Sequence, residues 1–149
     1  MIEAGTGQDA ASGDRRTFLE RLGATSDGEG RLILRPGPEH LRSLGIVHGG
    51  MIATLLDSVM GLDVSRRAPE EYYAVTVQLN INYIRPAFPA ETLIASSTIK
   101  HLGRSTAVAQ GELRTESGTL VATSSGTFCF VAHTDRTRGL EDRLDPGPG

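Results

Sequence analysis

The sequence predicts an α+β fold in which one long central helix is wrapped by a curved antiparallel sheet of about five to six strands. Two observations predict it: residues 50–64 are apolar around most of a helix, and four long β segments follow between residues 73 and 131. The last three segments are joined by short links that contain glycine, as hairpins require. A helix that is apolar nearly all round is buried, and the concave face of such a sheet is the simplest place for it.

The composition indicates one ordinary domain whose net charge does not favour binding to polyanions. The chain has 149 residues, and 15 Lys and Arg stand against 18 Asp and Glu, so the net charge is −3. A domain of this size buries a core without disulfides or metals. A mildly acidic chain has no general attraction to nucleic acid or to an anionic membrane, so we expect neither as a partner.

Cysteine and histidine usage argues against a metal site. The single cysteine, Cys129, excludes an intramolecular disulfide framework and every zinc site built on cysteine pairs. The four histidines are scattered without ligand spacing, so we expect no metal and no cofactor.

The sequence contains no run of about 18 apolar residues, which is the length that a membrane-spanning helix needs. The first residues hold no apolar stretch, so a cytoplasmic location is expected.

Three regions follow from the composition along the chain. Residues 1–14 are small, polar and rich in glycine, which predicts a disordered N-terminal segment. Residues 135–149 alternate charges and end in Pro-Gly, which predicts a polar, solvated tail. The folded domain is therefore expected over residues 15–134. It opens with one or two helical turns within 15–22 and a short strand within 31–35.

The helix over 50–64 carries one stripe of small and polar residues. The members of this stripe recur at helical spacing: Gly50, Thr54, Asp57, Ser58 and Gly61. A carboxylate on an otherwise buried helix is unusual unless it is paired or functional. Asp57 is therefore either a hydrogen-bonded structural carboxylate or part of a site, with small neighbours that leave room for another molecule.

The β segments are predicted from alternation of apolar and polar residues. Odd positions are apolar and even positions mostly polar over 73–83, a period of two sustained through eleven residues. The other three segments are predicted over 92–100, 105–115 and 119–131.

The segment Gly-Ile-Val-His-Gly-Gly, residues 45–50, leads directly into the helix and is the most informative part of the chain. Paired glycines let another molecule approach the backbone, and the first N–H groups of a helix lack internal partners and carry partial positive charge. An oxygen that becomes negatively charged is stabilised there. The plainer interpretation is a tight turn in which His48 is a capping or packing histidine.

At these residues the chain resembles the hotdog-fold acyl-CoA thioesterases, most closely their PaaI-like group. The resemblance rests on residues 45–61 (GIVHGGMIATLLDSVMG), residues 79–87 (LNINYIRPA) and residues 99–128 (IKHLGRSTAVAQGELRTESGTLVATSSGTF). It extends over about residues 30–131. It implies a hotdog fold and hydrolysis of the thioester bond of an acyl-CoA to the free acid and CoA, without a cofactor.

The resemblance also implies roles for individual residues. Asp57 matches the catalytic carboxylate, acting as general base or as nucleophile. Gly49 matches the glycine whose N–H polarises the thioester carbonyl, His48 the histidine that supports this turn, and Thr76 a hydroxyl that orients water. The residues of this chain that match the family's CoA-binding segments are Tyr83, Arg85, Pro86, His101, Gly103, Arg104 and Ser105. Family members form homodimers, usually doubled to tetramers, with the active site across the dimer interface.

One departure and two alternatives accompany this interpretation. Many family members carry Asn six residues before the histidine, where this chain has Arg42, and Ser43 is a candidate substitute. A hotdog dehydratase or hydratase is the first alternative, but it uses a histidine and an acidic residue in a different arrangement. A non-catalytic acyl-CoA-binding module is the second, and the presence of Asp57 argues against it.

Overall fold

The computed structural model of the chain describes residues 16–134, and the predictions for residues 1–14 and 135–149 lie outside this range. In chain order the elements are helix α1 (Phe18–Arg21), strands β1 (Thr25–Ser26) and β2 (Leu32–Leu34), a 3₁₀ turn (Pro38–His40), helix α2 (Gly49–Ser65), and strands β3 (Tyr72–Tyr83), β4 (Leu93–Leu102), β5 (Thr106–Thr115) and β6 (Leu120–Ala132). Among the described residues, no helix has both the length and the apolar character that a membrane crossing needs.

The six strands form one antiparallel sheet in the order β1-β2-β4-β5-β6-β3. The sheet curls into a half-barrel, and α2 packs against strands β3 to β6. This arrangement confirms the predicted fold class. Strand β3 is the terminal strand of the sheet, so one of its edges is left without a neighbouring strand within the described chain.

Small residues on the concave face let the helix approach the sheet closely. A Cβ on Gly126 would lie 3.2 Å from the Met60 side chain, and a Cβ on Gly111 would lie 3.2 Å from that of Leu56. Larger residues at these two positions would push α2 outward, because protein interiors have no spare volume. Most apolar side chains of α2 are buried as predicted, whereas Leu62 is 38% exposed. The buried ones are Met51, Ile52, Leu55, Leu56, Val59, Met60 and Val64. The predicted small and polar stripe remains half-buried or exposed.

Strand β3 departs from the predicted strict alternation. Its pairing with β6 shifts register between Thr76 and Gln78, so Val77 is the extra residue of a β-bulge. Beyond the bulge Leu79 packs against the core, but before it the alternation is inverted. Val75 and Val77 are therefore 39% and 62% exposed, so the odd positions do not share one face along the whole strand.

The first two elements of the sheet and the turn after them carry less sequence signal. Strand β1 has only two residues and the 3₁₀ turn only three, too few to show a period. Strand β2 lies within the predicted segment, and α1 is one turn within residues 15–22. The helix α2 begins at Gly49, one residue before the predicted start.

Candidate active site

The turn over residues 45–50, here called the glycine turn, leaves one amide of α2 unused. His48 is the N-cap residue: its Nδ1 accepts from the Gly50 N–H at 2.8 Å, and its carbonyl accepts from the Met51 N–H at 2.9 Å. It also accepts a longer bond from Ile52. Within the described chain the Gly49 N–H donates to no group. The helix therefore presents a single free donor at its positively charged end.

Two backbone bonds and one side chain hold the glycine turn in place. The His48 N–H donates to the carbonyl of His40 at 2.8 Å, and the Val47 N–H donates to the carbonyl of Ala87 at 2.9 Å. The Tyr83 hydroxyl donates to the Gly49 carbonyl at 3.0 Å. A Cβ on Gly49 would lie 3.4 Å from the Tyr83 ring, an ordinary contact. The ring of Tyr83 thus forms a wall beside the free donor.

Asp57 and Thr76 form the second cluster of predicted site residues. The Thr76 hydroxyl donates to Asp57 Oδ1 at 2.8 Å. The bulge at Val77 makes this possible, because unbroken alternation from Leu79 would turn Thr76 to the outer face of the sheet. None of the ion pairs formed by residues 16–134 includes Asp57. The half-buried carboxylate therefore keeps one oxygen free of side-chain partners in the described chain.

The two clusters lie apart within one chain. Gly49 and Asp57 are eight residues apart on one helix, which places them about 12 Å from each other along its axis. We call Gly49 with His48 and Tyr83 the donor half-site, and Asp57 with Thr76 the carboxylate half-site. An attacking atom lies about 3–3.5 Å from a carbonyl carbon and an oxyanion donor about 3 Å from its oxygen. One chain does not bring both half-sites to one carbonyl.

The loop after β3 contains the first group of predicted CoA contacts, and it is braced by an ion pair. Arg85 donates to Glu91 at 2.7 Å and to the carbonyl of Pro86 at 3.2 Å. Glu91 also accepts from the Phe88 N–H at 3.0 Å. The Arg85 guanidinium, helped by the Phe88 amide and opposed by partial burial, lowers the pKa of Glu91 below its usual 4.5. Arg85 is therefore already engaged, and its predicted contact with CoA stays a prediction.

The second group, residues 101–105, covers the end of β4 and the turn between β4 and β5. The Gly103 N–H donates to the Thr106 carbonyl at 2.8 Å, and a Cβ on Gly103 would lie 2.9 Å from the His101 ring, so a side chain there would displace that ring. Arg104 is exposed and forms no ion pair with any described residue. The carbonyl of Ser105 accepts from the Phe130 N–H at 3.0 Å.

Strand pairing places this turn on the side of the carboxylate half-site. Ala107 pairs with Phe128, and Phe128 pairs with Thr76. Two strand spacings separate Ala107 from Thr76, about 10 Å. Tyr83 lies seven residues from Thr76 along β3, roughly 20 Å. The two predicted CoA-binding segments of one chain thus belong to different half-sites.

The departure at Arg42 lies in a small hairpin that precedes the glycine turn. The Arg42 N–H donates to the Ile46 carbonyl at 2.9 Å, and the Gly45 N–H donates to the Arg42 carbonyl at 2.9 Å. Gly45 has φ +74°, which only glycine adopts without strain. Arg42 and Ser43 are both exposed on this hairpin.

Sequence reasoning missed two residues that support the site. Glu91 carries a weak signal, since it is a carboxylate six residues after Arg85 in a loop with two prolines. His40 carries none beyond its residue type, because its burial depends on contacts with residues far from it in sequence.

Comparisons with known proteins bear on the family of this chain. Residues 44–122, more than half of the chain, match the thioesterase superfamily. The acyl-coenzyme A thioesterase 13 of Mus musculus is 32% identical, over 70% of this chain and 76% of the mouse protein. A Bacillus halodurans protein solved with CoA is 37% identical with a TM-score of 0.72, covering 76% of this chain and 74% of that chain.

A third comparison bears on the fold alone. The PaaI protein from the phenylacetic acid degradation operon of E. coli is 24% identical with a TM-score of 0.69, over 78% of this chain and 85% of that chain.

The match over residues 44–122 and the similarity to the mouse protein show that the chain belongs to the thioesterase superfamily. This membership confirms the resemblance that the glycine turn and the following segments indicated.

Proposed function

We propose that the chain is an acyl-CoA thioesterase whose reaction centre combines the donor half-site of one subunit with the carboxylate half-site of another. Thioester hydrolysis is the reaction of its family. The observation that carries the assignment of residues is a pair of available groups among residues 16–134: the Gly49 N–H, which has no acceptor there, and the Asp57 carboxylate, which forms no ion pair there and accepts from the Thr76 hydroxyl at 2.8 Å.

The chemistry needs little more than these two groups. The thioester oxygen gains negative charge as its carbon is attacked, and the Gly49 N–H at the positive end of α2 stabilises that charge. Asp57 either takes a proton from the attacking water or attacks the carbon itself. In both cases the carbon–sulfur bond breaks and the CoA sulfur leaves and ends protonated. When water attacks, the free acid forms directly; when Asp57 attacks, water then hydrolyses the mixed anhydride, which releases the free acid and regenerates the carboxylate.

The two-subunit arrangement is supported by distance and by the open edge of the sheet. Gly49 and Asp57 lie about 12 Å apart along one helix, too far for both to contact one carbonyl group. In the part of the chain that the structure describes, one edge of β3 is unpaired, and the exposed side chains of Val75 and Val77 project from this strand. Such an edge favours pairing with another strand. We propose that two copies pair there; doubling to a tetramer and a cytoplasmic location stay predictions.

Binding of the CoA moiety is proposed at the β4–β5 turn. The B. halodurans relative was solved with CoA, which supports a CoA site in this chain as well. Arg104 is the best candidate for a phosphate contact, because its guanidinium is exposed and has no ion pair among the described residues.

The direct test is release of the CoA thiol by wild type and by Asp57→Asn. We expect kcat to fall by roughly 100- to 10,000-fold, because the amide neither accepts the proton nor attacks. Asp63→Asn is the matched control, since Asp63 lies on the same helix but pairs with Arg67; its kcat should stay within about twofold. Retained turnover in Asp57→Asn contradicts the assignment. CoA binding without thiol release by wild type indicates the binding module instead.

A further inference from the structure

His40 is a buried titratable residue that the proposed chemistry does not use. It is 4% exposed, and both of its ring nitrogens are engaged. Nδ1 accepts from the Gly37 N–H at 2.9 Å, so the proton resides on Nε2, which donates to the carbonyl of Leu22 at 2.7 Å. The carboxylate of Glu39 lies 3.8 Å from Nε2 but is itself largely exposed.

The backbone of His40 connects this anchored ring to the glycine turn. Its carbonyl accepts from the His48 N–H at 2.8 Å. This N–H belongs to the peptide group next to the one that carries the Gly49 N–H. A ring held at both ends fixes the position of its own backbone, because side chain and backbone share the Cα atom. The ring contacts thus join the end of the α1 segment at Leu22 to the residue that caps α2.

We propose that His40 is a positioning residue, which holds the Gly49 N–H in line with the thioester oxygen through its carbonyl and His48. This inference rests on the proposed function, because the proposed function assigns the oxyanion contact to the Gly49 N–H. A displacement of about 1 Å at a reacting group can lower a rate roughly 100-fold. The contribution is expected in the transition state rather than in substrate binding, so it acts on kcat and not on KM.

Three substitutions at position 40 separate the two ring contacts. His40→Asn keeps an acceptor near the place of Nδ1, His40→Gln keeps a donor near the place of Nε2, and His40→Leu keeps neither. We expect kcat to fall roughly 10- to 100-fold in the leucine variant with KM within about twofold. The asparagine and glutamine variants should each recover part of the loss, and because each retains one bond, they keep the test open if leucine prevents folding.

Amide hydrogen exchange at His48 adds a readout that does not depend on activity. Exchange there should be faster in His40→Leu, because the accepting carbonyl is no longer held. Glu39→Gln is the matched control, since it changes the neighbouring residue and leaves both ring bonds; neither its kcat nor its exchange should change. Wild-type kcat in all three His40 variants, a rise in KM alone, or an equal loss in Glu39→Gln overturns the proposal. Failure of the proposed function shows instead as retained turnover in Asp57→Asn.

Discussion

Gly49 combines two properties at one residue: it is the first residue of α2, and its N–H has no acceptor within the described chain. The neighbouring amides of Gly50 and Met51 are both taken by His48. The capping histidine therefore accepts from the second and third amides of α2 and leaves the N–H of the first residue without an acceptor in the described chain. The capping interpretation of His48 and the functional interpretation of the turn are compatible, because the cap determines which amide stays free.

Proline at position 49 removes this donor and little else. Proline is well tolerated at the first position of a helix, and His48, with ψ 135°, already has the extended backbone that precedes proline. We expect Gly49→Pro to lower kcat by roughly 100- to 1000-fold, as loss of an oxyanion donor does. Gly49→Ala keeps the N–H and adds only an ordinary contact with Tyr83, so its loss should be much smaller. Thiol release and thermal melts distinguish the two; equal activity of both variants contradicts the role of the N–H.

Thr76 is expected to orient the Asp57 carboxylate through its hydroxyl. Thr76→Val keeps the shape of the side chain and removes the bond of 2.8 Å to Oδ1. A hydrogen bond to a charged group contributes about 1.5–3 kcal/mol, so kcat should fall roughly 10- to 100-fold. Thr76→Ser keeps the hydroxyl and should recover most of the rate. Steady-state kinetics with an acyl-CoA measures both, and equal kcat in the valine and serine variants would remove Thr76 from the site.

At the scale of elements, the loop between β3 and β4 supports the glycine turn from one side. The carbonyl of Ala87 accepts from the Val47 N–H at 2.9 Å, and the Arg85–Glu91 ion pair closes the loop around it. The loop is therefore both a neighbour of the donor half-site and a brace for it. The stability of this brace depends on pH through Glu91.

Glu91→Gln should lower Tm at pH 7 by about 1–4 °C, since it weakens a half-exposed ion pair. The folded-state pKa of Glu91 lies below its usual 4.5. Its contribution is therefore fully present above about pH 4.5 and is lost as the pH falls through the lowered folded-state value. The Tm difference between wild type and variant should shrink on acidification. The control is Glu116→Gln, which removes a carboxylate that is exposed in the β5–β6 turn. A difference that persists undiminished below the folded-state pKa contradicts the pairing.

The whole molecule is expected to work as a pair of chains. If the reaction centre combines two subunits, a hybrid of one Gly49→Pro chain and one Asp57→Asn chain has one intact site. Its other site then lacks both the donor and the carboxylate. Chains carrying different tags, expressed together and purified through both tags, should show about half the wild-type turnover per dimer. Each variant alone should be nearly inactive. A hybrid no more active than its parents would place the site within a single chain.

Much of this molecule was predictable from local pattern. The helix over 50–64 and the four long strands follow from apolar spacing, because burial on one face imposes a period of two on strands and an apolar surface on a buried helix. Asp57 and the glycine turn stand out because a carboxylate and paired glycines are exceptions to that pattern.

Local pattern was enough to predict the fold class and the bounds of the main elements to within a residue or two, and it indicated the residues that we propose act on a thioester. Which of these residues contact one another could be seen only in the folded chain. The bulge at Val77 turns Thr76 toward Asp57, Glu91 neutralises Arg85, and His40 is joined to Leu22 and His48. Pattern alone cannot predict these contacts, because a period reports only which face a residue occupies. Register shifts and contacts between distant segments depend on how complete elements pack together.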